Sequence, residues 1–267
     1  MSIPLLQKAR IAHYITKKRL AGEHKFPLVL MLEPSFRCNL RCRGCGKVNH
    51  SRDILEKEMS VAECVSAAEE CGAPVVSVAG GEPLLHPQIH RIVRELVGRK
   101  RFVYLCTNAL LLEKRLHQFQ PSPYLNFSIH LDGLEEVHDQ RVQMPGTFQR
   151  ATSAIRLLIS RGFRVTANTT LFREDTPAGI SRFFDFLGAF PVEGITVAAA
   201  FPYENAWDQD GFLKRGETVT LFRNLFRLGN SKRWVFNHTR LYLDFLAGNR
   251  NYSCTPWGTP TRSILGW

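Results

Sequence analysis

Segments of strand length alternate with segments of helix length along most of this chain, beginning at Leu28. Such alternation is typical of βα units, in which successive strands lie parallel in one sheet and helices connect them. We predict six strands, at residues 28–33, 75–79, 102–107, 125–131, 164–171 and 195–200. The predicted fold class is therefore α/β: a partial (β/α)6 parallel barrel, with an N-terminal helical extension and an irregular C-terminal segment.

Capping and stop signals place the helices between these strands. Ser60 and Glu63 form a capping box that begins a predicted helix at 61–71, and Gly72 ends it. Further helices are predicted at 8–20, 88–98, 147–161, 177–190 and 217–228. We divide the chain into a basic N-terminal helix (1–26), a core (27–205) and a C-terminal extension that covers the active site (206–267).

Three cysteines, Cys38, Cys42 and Cys45, follow the first predicted strand with the spacing Cys-x-x-x-Cys-x-x-Cys. Three thiolates can hold three irons of a [4Fe–4S] cube and leave the fourth iron open. An open iron can bind S-adenosylmethionine through its amino and carboxylate groups and pass an electron to the sulfonium. The motif therefore predicts one [4Fe–4S] cluster and S-adenosylmethionine as cofactors, with a 5′-deoxyadenosyl radical as the product of cleavage.

A zinc site is the alternative interpretation of these cysteines. Zinc needs four ligands, and no second cysteine pair exists, although His50 could complete a Cys3His set. The other cysteines (Cys64, Cys71, Cys106 and Cys254) are scattered singly, and the total of seven is odd. Cys64 and Cys71 fall on a predicted helix, where small apolar packing is the simplest role. Because no secretory leader is visible, we expect a reducing, cytoplasmic location.

The charge is strongly basic, with 35 Lys and Arg against 24 Asp and Glu, a net charge of +11. Such a charge attracts nucleic acid or anionic lipid. It is spread along the chain, so we expect no nucleic-acid partner. The densest basic stretch is the N-terminal helix, which either packs on the end of the barrel or lies peripherally on a membrane. No apolar run reaches the ~20 residues of a membrane span.

Chemistry in parallel barrels gathers where strands end. Gly80-Gly81-Glu82-Pro83 follows the second strand. Two glycines let backbone approach a ligand closely, so we expect this stretch to bind the methionyl amine of S-adenosylmethionine, with Glu82 adding complementary charge. Asn108 ends the third strand, and we count it among the cofactor-binding residues.

Together, the cysteine motif and Gly80-Gly81-Glu82-Pro83 resemble the radical S-adenosylmethionine superfamily over about residues 28–203. Shorter segments resemble its hopanoid-biosynthesis branch, the adenosyl-hopene transferases: 36–40, 45–47, 72–77, 104–114, 130–133, 245–249 and 254–258. The resemblance implies addition of the 5′-deoxyadenosyl radical to the alkene of a C30 hopene such as diploptene, forming adenosylhopane. It also implies a small electron donor, such as flavodoxin or ferredoxin. That family's C-terminal segment continues beyond Trp267, and Cys254 lacks partners for a second cluster.

The same resemblance suggests roles for residues at the strand ends. Cys106 is expected to give a hydrogen atom to the substrate radical, because its S–H bond is weak; a packing cysteine is the alternative. His130 and Asp132 share a face, and either carry protons, bind the ribose or pack in the core. By analogy with the superfamily, Asn168 and Thr170 are placed at the ribose and the backbone at Val197 to Ala199 at the adenine.

Aromatic and basic residues leave further interpretations open. Ten phenylalanines fall in the C-terminal third, and we expect most to pack in the core and a few to face the hopene: Phe183, Phe184, Phe186, Phe190, Phe201, Phe212, Phe222, Phe226, Phe236 and Phe245. Basic residues near the cysteines favour thiolate, are solvated, or dock an acidic electron donor: Arg37, Arg41, Arg43 and Lys47. The competing functions are a radical enzyme acting on a peptide or as a maturase, and a zinc-containing RNA-binding module.

Overall fold

The structure is a computed structural model that describes residues 3–203, 205–229, 234–252 and 256–267. One parallel sheet dominates it, with seven strands in the order β6-β5-β4-β3-β2-β1-β7. The strands are β1 (Val29–Glu33), β2 (Val75–Val78), β3 (Phe102–Thr107), β4 (Leu125–His130), β5 (Arg164–Leu171), β6 (Ile195–Ala199) and β7 (Thr261–Ser263). The predicted six-stranded parallel half-barrel is confirmed.

Helices connect successive strands and pack on the outer face of the sheet, except for the first helix, which precedes β1. They are α1 (Leu5–Leu20), α2 (Arg52–Leu55), α3 (Val61–Cys71), α4 (Ile89–Gly98), α5 (Leu112–Arg115), α6 (Glu135–Val142), α7 (Thr147–Ser160), α8 (Pro177–Gly188), α9 (Arg215–Leu228) and α10 (Arg240–Leu246). Short 3₁₀ turns lie at Lys47–Asn49, Pro83–Leu85, Leu116–Gln118 and Pro256–Gly258. The predicted capping box of Ser60 and Glu63 is present, and Gly72 ends α3 at a φ of +68°. None of the described helices is both long and apolar enough to cross a bilayer.

The tail is not entirely irregular, contrary to our prediction. Thr261–Ser263 adds β7 beside β1, with Met31 opposite Thr261. Three residues are too few to show a periodic pattern in sequence, so only the pairing with β1 defines this strand.

Alternation along each strand separates an apolar outer face from a polar inner face. The outward residues are buried against the helices, as Leu105, Phe127 and Val165 illustrate. The inward residues at mid-sheet are small and polar or carry sulfur: Ser77, Cys106, Ser128 and Thr166. A polar chamber therefore lies inside the half-barrel.

Helix α1 closes the lower end of this chamber, where the strands begin. The Gln7 side chain, 3% exposed, donates from Nε2 to the Tyr104 hydroxyl at 3.1 Å. Its Oε1 accepts from the Arg164 guanidinium at 3.1 Å, and Arg164 pairs with Glu193 at 2.7 Å. Of the two interpretations of this helix, packing on the barrel end is thus confirmed for its inner face.

Phenylalanines of the C-terminal third mostly pack in the core, as expected. Phe183, Phe184 and Phe222 are buried in the main core, and Phe212 is buried in a smaller cluster with Phe172, Ala200 and Ala206. The partly buried members pack against the main core: Phe186, Phe190, Phe226, Phe236 and Phe245. Phe201 is the exception, at 56% exposed.

Candidate active site

The cysteine motif lies in the loop between β1 and the 3₁₀ turn at Lys47–Asn49. All three thiols are half-buried, and the Cys45 N–H donates to the Cys42 carbonyl at 3.1 Å. Burial raises the pKa of Cys38 to about 11 and also raises the pKa of Cys42 and Cys45. In Cys42, the neighbouring Cys45 and Cys38 sulfurs push the pKa in the same direction. Without a bound cation, these cysteines are therefore neutral thiols, and a bound positive centre would favour their thiolate form.

A cluster fits this loop better than a single zinc ion. His50, the residue proposed to complete a Cys3His site, stacks on the Phe36 ring with centroids 5.0 Å apart. Within the residues that the structure describes, no three His, Cys, Asp or Glu side chains converge to hold one metal ion. In a [4Fe–4S] cube each thiolate binds a different iron, so the three sulfurs surround the cube and need not meet at a single ion. Cys254 lies outside the described residues.

Three of the four basic residues around the cysteines form ion pairs. Arg37 pairs with Glu58, Arg43 pairs with Asp208, and Lys47 pairs with Glu33 at 2.6 Å. Lys47 does lower the pKa of Cys45, but burial outweighs it. The effect of Lys47 on Cys45 agrees with the expectation that these cations favour thiolate, and the other interpretations of the four residues stay predictions.

Gly80 and Gly81 bring the end of β2 against the cysteine loop. Gly81 N–H donates to the Ser35 carbonyl at 3.0 Å, and Glu82 N–H donates to the Arg37 carbonyl at 2.7 Å. Gly80 has a φ of +106°, and a Cβ on either glycine would overlap a carbonyl oxygen of this loop. The glycines thus permit contact between two backbone segments of the site, whereas their contact with S-adenosylmethionine stays a prediction.

The Glu82 carboxylate joins the ends of β2 and β3. Only 2% exposed, it accepts from Leu84 N–H at 2.9 Å, the Thr107 hydroxyl at 2.7 Å and Asn108 N–H at 2.8 Å. Burial raises the pKa of Glu82, and these three donors oppose that shift. The carboxylate is therefore already bonded within the protein, and its effect on a ligand amine stays a prediction.

Asn108 completes the contact between the ends of these strands and the cysteines. Its side-chain amide donates to Asn39 Oδ1 at 2.8 Å and lies 4.0 Å from Cys38 Sγ. Three segments singled out from the sequence are thus brought together: the cysteine loop, Gly80 to Glu82, and Asn108.

Cys106 lies on the inner face of β3, one layer below this rim. Its Sγ is 3.5 Å from the Ser77 hydroxyl, and Ser128 is opposite it on β4. Tyr104 shares its face, as predicted. Burial raises the pKa of Cys106, and hydrogen bonds with Ser77 and Ser128 oppose this only in part. The side chain is therefore a neutral thiol.

His130 and Asp132 form a close pair at the end of β4. His130 Nε2 lies 2.9 Å from Asp132 Oδ2, and Asp132 Oδ1 accepts from Thr170 N–H at 2.8 Å. Burial alone would lower the pKa of His130, but the Asp132 carboxylate raises it above its ordinary value. Burial likewise opposes ionisation of Asp132, yet His130 and the Thr170 N–H hold its pKa below the ordinary value.

The residues placed at the adenosine have unequal surroundings. Asn168 lies beside His130 in the sheet register, and Asn168 and Thr170 are both half-buried on one face of β5. Val197 departs from the expectation: its N–H donates to His238 Nε2 at 2.9 Å, so this group is not free for adenine. Residues 235–238 cover the edge of β6 there, because Ile195 also pairs with Val235 and Asn237.

Residues of the segment after β6 were missed by the sequence reasoning. Asn205 and Asp208 contact the cysteine loop through Asn49 and Arg43. The glycines of the motif, Gly44 and Gly46, could have indicated a close neighbour. Nothing in the sequence could have identified Asn205 and Asp208 as the neighbours of this loop, because they lie about 160 residues away along the chain.

Two family models match the chain in succession. The radical SAM superfamily model matches residues 32–187, and a model described as a domain of unknown function (DUF3463) matches residues 195–267. An AdoMet-dependent heme synthase of Methanosarcina barkeri is 29% identical over 154 residues, covering 56% of this chain and 44% of that protein. A GTP 3',8-cyclase of Aquifex aeolicus is 25% identical over 215 residues, covering 74% of this chain and 65% of that protein.

Solved structures share the fold. Streptococcus suis SuiB bound to S-adenosylmethionine superposes with a TM-score of 0.76 at 17% identity, covering 97% of this chain and 63% of SuiB. The enzyme anSMEcpe with bound AdoMet and a peptide gives 0.63 at 18% identity, covering 85% and 68%. This chain spans less than half of the first curated relatives, 44% and 37% of two heme synthases.

The motif, the half-barrel and the model match over more than half of the chain lead to one conclusion: the chain belongs to the radical SAM superfamily, whose members use a [4Fe–4S] cluster and S-adenosylmethionine.

Proposed function

We propose that this protein adds the 5′-deoxyadenosyl radical to the alkene of a hopene such as diploptene and forms adenosylhopane. The segments that resemble adenosyl-hopene transferases support this choice among radical SAM functions. The structural observation that carries it is the neutral Cys106 thiol on the inner face of β3, next to the Ser77 hydroxyl.

An alkene acceptor explains why a thiol is needed there. Addition of a carbon radical to a terminal alkene forms one C–C bond and leaves a tertiary carbon radical. Transfer of the Cys106 hydrogen atom breaks S–H, forms C–H and leaves a thiyl radical. One electron from a flavodoxin- or ferredoxin-like donor and one proton then restore the thiol. Enzymes that only abstract hydrogen from substrate do not need this donor.

The remaining residues receive roles by proximity. Cys38, Cys42 and Cys45 would hold the cluster, which when bound supplies the electron that splits S-adenosylmethionine. Gly80 to Glu82 and Asn108 shape the rim against the cysteine loop. Asn168 and Thr170 would hold the ribose, and the His130–Asp132 pair would bind it or carry a proton. Because the Val197 N–H is already bonded to His238, we place the adenine at the backbone of Ala199, further along β6.

The direct test is anaerobic incubation with a reductant, S-adenosylmethionine and diploptene, followed by mass analysis of the lipid fraction. We expect a saturated adenosyl adduct. Formation of 5′-deoxyadenosine with unaltered lipid would contradict the proposal. A peptide substrate is the rival, since neighbours in fold were solved with peptides bound. The same incubation with candidate peptides, analysed for mass changes, separates the two.

Replacement of Cys106 tests the hydrogen donor. In Cys106→Ala, we expect the saturated adduct to fall by at least about tenfold, equivalent to ~1.4 kcal/mol of barrier, while methionine is still formed. Cys71→Ala, at the end of α3, is the matched control. A normal yield of saturated adduct from Cys106→Ala would remove Cys106 from the mechanism.

A peripheral membrane contact, reached from the cytoplasm, is part of the proposal. Leu5 and Leu20 on α1 are 81% and 84% exposed, and α1 carries Lys and Arg but no Asp or Glu. Basic residues beside exposed leucines can attach a helix to an anionic bilayer by charge and apolar contact. We expect sedimentation with phosphatidylglycerol vesicles that weakens as salt rises. Equal binding by a Leu5→Ser/Leu20→Ser variant would contradict it.

A further inference from the structure

The segment at 205–213, between β6 and α9, lies against the cysteine loop. It falls within the region matched by the domain of unknown function, whereas the loop falls within the radical SAM match. Phe212 and Ala206 anchor it in a small apolar cluster with Phe172 and Ala200. Leu213 N–H donates to the Ala200 carbonyl at 3.0 Å, and Arg173 N–H donates to the Gly211 carbonyl at 2.9 Å. The segment is thus fixed to the barrel independently of the loop.

Polar bonds tie this segment to the loop on both sides of Cys45. Before Cys45, the Arg43 guanidinium pairs with Asp208, whose side chain is only 10% exposed. After Cys45, the Asn49 side-chain amide donates to the Asn205 carbonyl at 2.7 Å. Arg43 N–H additionally donates to the Arg141 carbonyl at 2.8 Å. The ligating stretch is therefore held at points on either side of one cysteine.

Close backbone contact reinforces these bonds. A Cβ on Gly46 would lie 2.5 Å from the Asn205 carbonyl carbon and 2.6 Å from the Tyr203 ring. A Cβ on Gly44 would lie 2.6 Å from the Phe172 ring. The Lys47 ammonium lies 2.6 Å from Glu33 Oε2 and 5.4 Å from the Tyr203 ring centroid. No side chain larger than hydrogen fits at either glycine without displacing its neighbour.

From these contacts, we propose that the 205–213 segment is a clamp that holds the cysteine loop in its cluster-binding conformation. Asp208 and Asn205 are positioning residues, since they act through Arg43 and Asn49 on the ligating stretch. A role is thereby assigned to part of the C-terminal region: retention of the cluster. This inference requires only the cluster, and not a particular substrate.

Cluster retention provides a readout without turnover. Reconstituted holoenzyme is mixed anaerobically with an iron chelator, and loss of the iron–sulfur absorbance is followed. In Asp208→Asn, we expect iron to be lost about fivefold faster, the factor that a partly buried ion pair of ~1 kcal/mol represents. Gly46→Ala, which displaces Asn205, is expected to lose iron at least as fast.

Asp210→Asn is the matched control. Asp210 lies in the same segment and is exposed. Its replacement by Asn changes the net charge by the same amount as Asp208→Asn does. Among the described residues, no ion pair is assigned to its side chain, in contrast to Asp208. Equal rates of iron loss in Asp208→Asn, Asp210→Asn and the original protein would overturn the clamp. So would a fall in the melting temperature of the cluster-free Asp208→Asn protein large enough to account for the faster loss. Failure of adenosylhopane formation with normal iron retention would instead contradict only the proposed function.

Discussion

At the scale of single residues, the Glu82 carboxylate connects the ends of two strands with the cysteine loop. It is buried, and it accepts hydrogen bonds from Leu84, Thr107 and Asn108. Through Asn108 it is linked to Asn39 in the cysteine loop. The ends of two strands and the loop are therefore coupled through one side chain.

Glu82→Gln tests this coupling. The amide can accept from fewer of the three donors, and its NH2 group would face a donor, so we expect a loss of about 1–3 kcal/mol in the free energy of unfolding. Urea denaturation of the cluster-free protein measures it. Glu69→Gln, on an exposed ion pair with Arg99, is the control and should change stability by less than about 1 kcal/mol. Equal effects in the two variants would show that the bonds of Glu82 are energetically unimportant.

The His130–Asp132 pair predicts a pH dependence of stability. The pKa of His130 is raised above its ordinary 6.5, so its stabilisation is complete below that pH and disappears as pH rises through the folded-state pKa. The pKa of Asp132 is lowered from 3.8, so its contribution is lost as pH falls through the folded-state value. The pair therefore stabilises most between about pH 4 and 6.5.

His130→Gln should accordingly be destabilised most in mildly acidic buffer. We expect the difference in unfolding free energy between the original protein and His130→Gln to shrink from about pH 5.5 to about pH 8.5. Denaturation curves across this range measure it, with His13→Gln, an exposed site on α1, as the control. A difference that grows with pH would mean that the pair is not charged as described.

At the scale of elements, the strand ends meet because two glycines let β2 and the cysteine loop come together. Gly81→Ala places a methyl group against the Arg37 carbonyl. We expect overlap to cost about 1–3 kcal/mol and to weaken S-adenosylmethionine binding to the holoenzyme, measured by calorimetry. Gly188→Ala at the end of α8, with open space around it, should instead be neutral or stabilising by up to ~1 kcal/mol. Unchanged binding and stability in Gly81→Ala would contradict the contact.

Much of this architecture could be predicted from sequence because the strands carry strong local signals. The six strands, the capping box of α3 and the convergence of Cys38, Gly80 and Asn108 all follow from periodicity and the rule that parallel strands end at one edge. The rest depends on long-range partners. β7 is defined only by β1, the Val197 N–H is covered by a histidine 41 residues away, and the neighbour of Gly46 lies on another element.

At the scale of the whole molecule, the polar chamber has a floor supplied by the first helix. Gln7 bridges Tyr104 of β3 and Arg164 of β5. We expect Gln7→Ala to lower the free energy of unfolding by about 1–2 kcal/mol, because the buried Tyr104 and Arg164 groups lose a partner. Thr16→Ala, on the exposed side of α1, is the control. An unchanged urea midpoint in Gln7→Ala would mean that the helix does not seal the barrel through this residue.

The C-terminal region borders the sheet on both sides. Residues 235–238 lie along the outer margin of β6, and β7 lies along the outer margin of β1. Detachment of the C-terminal region would leave unpaired amides and carbonyls at both edges of the sheet. Exposed sheet edges of this kind pair with other chains. Protection from self-association at two distant places thus depends on the same length of polypeptide that also touches the cysteine loop.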